Sequence, residues 1–132
     1  MATATDQTLQ VKALSTSLTV DDIQKSIRFF EGLGFVKGET WDEGGKVVGA
    51  MLKAGDAELG VMQDDWKKGR DRQKGVGFRL FIQTAQDVDQ IAARAKAAGI
   101  TLDSEPHDTE WGMRAFEVTE PTGFKITVAQ RK

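Results

Sequence analysis

The sequence predicts an α+β fold built from two fused βαβββ modules, and three observations carry that prediction. Residues 22–35 (DIQKSIRFFEGLGF) and 87–100 (DVDQIAARAKAAGI) share one pattern: aspartate, a helical apolar period, glycine and a large apolar residue, with Asp22 and Asp87 65 residues apart. Residues 58–61 and 125–128 repeat at a spacing of 67, which a two-residue insertion in a turn accommodates. Each helical pattern also follows a short apolar strand pattern. Side-chain identity between the halves is low, so the periodicities carry the argument.

Residues 1–10 are polar and read as a frayed lead, without the basic start and apolar core of a signal peptide. Residues 14–20 form the first strand, with Leu14, Thr16, Leu18 and Val20 on one face and Ser15, Ser17 and Thr19 on the other. Asp21 or Asp22 caps a helix whose Ile23, Ile27 and Phe30 fall at helical spacing, with Phe29 and Leu33 also in its core contact and Gly34 as its left-handed stop. Strands at 36–41, 47–53 and 58–63 complete a first module over 11–63, with turns at Gly44-Gly45 and at 54–56. Residues 64–77 hold Lys67, Lys68, Arg70, Arg72 and Lys74 without apolar period; composition favours a solvated connector over an anion-attracting loop. The second module spans 78–130: a strand at 78–83, a helix with Ile91, Ala92, Ala95 and Ala98 on its packed face and Gly99 at its end, then strands at 101–106, 113–118 and 124–129.

Composition narrows the function. The 132 residues suit one compact domain, and 39% apolar and 29% charged residues are ordinary for a globular protein. A net charge of −2 supplies no basic face for nucleic acid. Without cysteine there is no disulfide, thiolate metal site or cysteine nucleophile. No apolar run reaches membrane-spanning length, and a cytoplasmic location is expected. The lone His107 serves no nucleophile elbow, and no glycine-rich segment ends in the Lys-Ser/Thr of a phosphate loop.

Three stretches resemble the vicinal oxygen chelate superfamily, which includes glyoxalase I, bleomycin-resistance proteins and extradiol dioxygenases. They are LTVDDIQKSIRFFEGLGF at 18–35; AAGITLDSEP followed by Trp111-Gly112-Met113-Arg114-Ala115-Phe116; and Glu120-Pro121-Thr122-Gly123, similar to the family's Asp-Pro-x-Gly turn. The resemblance covers about residues 13–130 and implies eight strands in a curved, cup-like mixed sheet with helices outside, and a homodimer. It also implies four metal-ligand positions, two per module, usually His, Gln or Glu. Here they fall at Ser15, Gly60, Arg79 (Leu80 after a one-residue slip) and Thr127. Glycine has no ligand atom, arginine repels a cation, and lone hydroxyls bind divalent ions poorly. A slip brings mostly apolar neighbours. No metal and no cofactor are therefore expected, and His107 lies outside all four positions as a solvated loop or strand-end residue.

The cavity lining is then expected to include Ser15, Ser17, Glu58, Met62, Arg79, Phe81, Gln83, Lys125 and Thr127 by strand phase. Trp41, Met51, Trp111, Arg114 and Phe116 are further candidates. Core packing is the stronger account of Phe116, and Trp66 is expected to cover an edge or meet a second subunit. Arg79 either clamps an anionic group or pairs with an internal acid such as Glu58 or Glu117. Glu58, Glu110 and Glu117 are possible bases and Lys125 a possible acid, but no spacing selects a catalytic pair. The leading expectation is a metal-independent small-molecule binding protein similar to the antibiotic-sequestering branch, holding an amphipathic, planar or anionic ligand. A lyase, isomerase or dioxygenase with a relocated or lost metal is the alternative, and an interaction domain with a filled cavity the third.

Overall fold

The computed structural model describes residues 7–131, so residues 1–6 of the expected lead lie outside the described part. The first half runs β1 (Thr16–Val20), α1 (Ile23–Leu33), β2 (Val36–Glu43), β3 (Lys46–Ala54) and β4 (Ala57–Gln63). The second repeats the order as β5 (Arg79–Thr84), α2 (Val88–Ala97), β6 (Leu102–Asp108), β7 (Met113–Thr119) and β8 (Lys125–Arg131). Each half forms one four-stranded mixed sheet, in the orders β1-β4-β3-β2 and β5-β8-β7-β6. The first strand of each sheet pairs parallel to the last, and the remaining pairs are antiparallel.

The helices start and stop for local reasons. The Asp22 carboxylate accepts from the Gln24 and Lys25 N–H groups at 3.2 and 3.3 Å, and Asp87 accepts from the Asp89 N–H at 2.9 Å. Gly34, at φ 110°, ends α1 in the left-handed conformation that a side chain would strain. Both helix starts are also tied to a neighbouring strand. Gln63 at the end of β4 accepts the Ile23 N–H at 3.0 Å, and Gln130 on β8 accepts the Val88 N–H at 3.1 Å. Each amide satisfies a helix N–H that has no intrahelical partner.

One apolar core joins the halves. It takes Leu18, Val20, Leu59 and Val61 from the first sheet, Phe116, Val118, Ile126 and Val128 from the second, and Phe30, Val88 and Ala92 from the helices. Burying a side chain such as Phe30 contributes about 1.5–3 kcal/mol. Strand phase follows the expected alternation from Leu18 onward, but β1 begins only at Thr16. Leu14 is 90% exposed and does not pack on the helix, and Ala98, the C-cap of α2, is largely exposed with its Cβ toward Gly32 of α1.

The segment from 64 to 77 is not a loosely solvated connector. Asp64 is buried, its N–H donates to the Val20 carbonyl at 2.9 Å, and its carboxylate accepts from Trp66 N–H, Arg72 and Lys74, each at 2.8 Å. Lys74 also bonds Asp21 in the β1–α1 turn. Arg70 and Lys74 lie over the Trp66 ring at 4.8 and 4.6 Å from the centroid. Its far end touches the second half, where Gly75, at φ 81°, brings its backbone against the Gly123 carbonyl in a space that excludes a Cβ.

Candidate functional site

The faces of the two sheets turned away from the helices carry the polar and aromatic side chains. On β5, Leu80 and Ile82 pack on the core while Arg79, Phe81 and Gln83 are exposed on the opposite face. The register therefore puts Arg79, not Leu80, on the open side. β8 alternates likewise: Ile126 and Val128 belong to the core, and Thr127 lies opposite Phe81 and Glu117 on its neighbours.

A pocket of about 550 Å³ opens on this face of the second sheet. Its floor includes Ala115, which forms a small apolar cluster with Met113 and Ala129 apart from the main core. Arg79 crosses the floor: its Nη1 donates to Glu117 Oε2 and to Thr127 Oγ1, both at 3.0 Å. The other Glu117 oxygen accepts from Ser104 Oγ at 3.2 Å. The alternative in which Arg79 pairs with an internal acid is thus the one realised, with Glu117 as the acid. Glu58 pairs instead with Lys53 at 3.6 Å on the first sheet.

The pocket wall is the β6–β7 turn. Thr109 locks it, because its N–H and Oγ1 both donate to the Met113 carbonyl, at 2.7 and 2.8 Å, and Oγ1 accepts the Met113 N–H at 3.2 Å. Gly112, at φ 81°, completes the turn. Glu110 and Trp111 are thereby held at its tip, and the Trp111 ring lies 5.6 Å from Phe81 at an interplanar angle of 50°. Behind them, His107 Nδ1 contacts the Glu105 carbonyl at 2.8 Å. A carbonyl only accepts, so that nitrogen carries the proton and Nε2 of the neutral ring is an acceptor.

Of the residues expected at the site, Arg79, Phe81, Trp111 and Thr127 come together in this pocket. Gln83 and Lys125 share the exposed side of the same sheet but lie outside the pocket lining. On the first sheet, Trp41 and Met62 meet over Gly49, and Met51 reaches Gly60 beside Ser17; none of these lines the pocket. Ser15 is exposed ahead of β1. Of the further candidates, Phe116 takes the core role that was its stronger account, and Arg114 needs correction. Phe116 is fully buried in the main core, because its phase on β7 matches Val118. Arg114 turns to the helix side, where Nε and Nη2 donate to Asp89 on α2 at 2.8 and 2.9 Å and Nη1 to Asp108 at 3.1 Å. Those bonds hold the Asp89 carboxyl below its ordinary range and push the guanidinium up. His107, expected as a solvated loop or strand-end residue, lines the pocket, as does Asp108, which was not among the expected site residues.

The four family metal positions do not fit a divalent ion. Gly60 offers no donor atom, and the Arg79 guanidinium donates directly to the hydroxyl of Thr127, placing a cation where a cation would have to bind. Among the described residues no group of three or more His, Cys, Asp or Glu side chains is arranged to hold a metal.

Two α+β modules, joined by one core and carrying a pocket on the helix-free side of the second sheet, define the class of protein. The sequence profile of the Glyoxalase/Bleomycin resistance protein/Dioxygenase superfamily matches residues 12–128. This chain belongs to that superfamily. Solved structures of similar fold include TioX from Micromonospora sp. ML1, at TM-score 0.75 and 18% identity over 92% of this chain and 100% of that one. TnmS3, an antibiotic binding protein from Streptomyces sp. CB03234, aligns at TM-score 0.71 and 23% identity over 95% and 99%. A glyoxalase-related enzyme from Fulvimarina pelagi aligns at TM-score 0.71 and 16% identity over 92% and 89%. No curated protein matches the sequence.

Proposed function

We propose that this chain is a metal-independent small-molecule binding protein that holds a planar, amphipathic molecule in the pocket of its second sheet. The observation that carries the reading is the pair Trp111 and Phe81, 55% and 51% exposed, side by side over a pocket of about 550 Å³. Large aromatics that fold without covering themselves offer flat faces for a ring. The rigid Thr109 turn means that little ordering is needed on binding. An open pocket favours this reading over an interaction domain with a filled cavity. The likeness to TnmS3 supports an antibiotic-like ligand. The donor chemistry at the family metal positions supports independence from metal.

With this reading go residues 11–63 and 78–130 as modules joined by 64–77, and a cytoplasmic homodimer. The uncovered edge strand β2, along which Val36 and Trp41 are both exposed, supports a second copy. The test is thermal unfolding across a library of planar compounds, with and without EDTA. A ligand at about 100 times its Kd adds about 2.7 kcal/mol, or roughly 10 °C. At least one compound should give such a shift, EDTA should leave it unchanged, and Trp111→Ala should remove it. A library without a hit, or a shift abolished by EDTA, would overturn the proposal.

A further inference from the structure

We infer that the pocket selects a planar aromatic cation, with Glu110 as the counter-charge and Trp111 and Phe81 as the stacking walls. The inference rests on the binding role proposed above and adds the charge of the ligand. Three carboxylates, Asp108, Glu110 and Glu117, line the pocket against one guanidinium, Arg79. Their pairings decide what is left for a guest. Glu117 is occupied on both oxygens, by Arg79 and by Ser104. Asp108 accepts from Arg114. Glu110 has no hydrogen-bond or ion-pair partner among the described residues.

The other unfilled polar groups lean the same way. With Nδ1 donating to the Glu105 carbonyl, the neutral form of the His107 ring presents Nε2 as an acceptor. The faces of Trp111 and Phe81 are the negative ends of their quadrupoles, so they attract a cation as well as stack on it. Arg79 is the one group that would favour an anion, and its charge already lies against Glu117 at 3.0 Å. An incoming carboxylate would have to compete with Glu117 while facing Glu110 across the pocket. A ring bearing a protonated amine meets neither obstacle.

Three planar probes of similar size separate the outcomes: proflavine as the cation, acridone as the neutral ring and anthraquinone-2-sulfonate as the anion. Binding is read by calorimetry at low salt with the full chain, at one-to-one stoichiometry. Proflavine should bind at least about tenfold more tightly than the sulfonate, an effect of the size expected for a cation–π contact with a nearby counter-charge. Glu110→Gln should weaken proflavine severalfold without changing acridone, and Trp111→Ala should weaken both. Sulfonate binding as tight as proflavine, or proflavine binding insensitive to Glu110→Gln, would overturn the charge selection while leaving the binding role standing. Failure of all three probes to bind would overturn both.

Discussion

Arg79 reaches Glu117 and Thr127 with the same nitrogen, which leaves the rest of its guanidinium toward the pocket but removes most of its power as an anion clamp. Its side chain and that of Glu117 are 43% and 38% exposed, so the pair contributes only about 0–1 kcal/mol to folding. Arg79→Ala should therefore shift the urea midpoint little and make the pocket more acidic. Proflavine affinity should rise, by calorimetry on parent and variant; a sulfonate that binds the parent tightly and is lost in the variant would restore the anion clamp. The side of the sheet that Arg79 occupies matches the alternation expected through Leu80 and Ile82, although the sequence left a one-residue slip to Leu80 open. Its partner was legible only as a choice between Glu58 and Glu117. Glu117 lies 38 residues on, and the pairing needs the registers of β5, β8 and β7 together. Ser104 and His107 were hidden for a different reason. They are three apart, so strict alternation puts them on opposite faces, yet register irregularities in β6 set them opposite Glu117 and Ala115 on the pocket side.

At the scale of elements, the segment joining the halves departs most from its composition. Lys74 looks solvated in sequence because one of its partners lies elsewhere: it bonds Asp21, 53 residues away, as well as Asp64. Lys74, the Trp66 N–H and Arg72 together hold the Asp64 carboxyl far below the ordinary carboxylate range, against the opposing effect of burial. Burial pulls the Lys74 ammonium down, but its bonds to Asp21 and Asp64 outweigh that and leave it raised. The signs define a pH window. A depressed Asp64 contributes stability that is full above the unfolded value of about 3.9 and is lost as pH falls toward its folded value. A raised Lys74 contributes stability that is full below about 10.4 and is lost as pH rises through its folded value. The urea midpoint should thus hold up at neutral pH and drop below about pH 4, and Asp64→Asn should lower the neutral value and flatten the acid slope. An unchanged acid slope in the variant would show that the Asp64 cluster contributes nothing to that decline.

The whole molecule is held by contacts that cross between its halves, and these decide how it comes apart. The two helices touch near their C-terminal ends, where Gly32 leaves room for Ile100 and Ala98. Buried Glu120, in the β7–β8 turn, accepts from Ser26 on α1 and from the Thr122 N–H and hydroxyl, while the Asp21 N–H donates to Thr122 Oγ1 at 3.1 Å. The turn itself was legible as Glu120-Pro121-Thr122-Gly123. Its role as a tie was not, since Ser26 is 94 residues away. Removing one half would expose apolar surface of the shared core and break the tie between Ser26 and Glu120. Neither sheet is therefore expected to fold stably without the other, despite the symmetry of their order. Trp41, Trp66 and Trp111 report on the first half, the joining segment and the second half. Variants retaining one tryptophan each should unfold in urea with midpoints that coincide with one another and with far-ultraviolet circular dichroism, as a single cooperative unit requires. A Trp41 transition separated from that of Trp111 would mean that the common core and the Glu120 tie do not couple the halves.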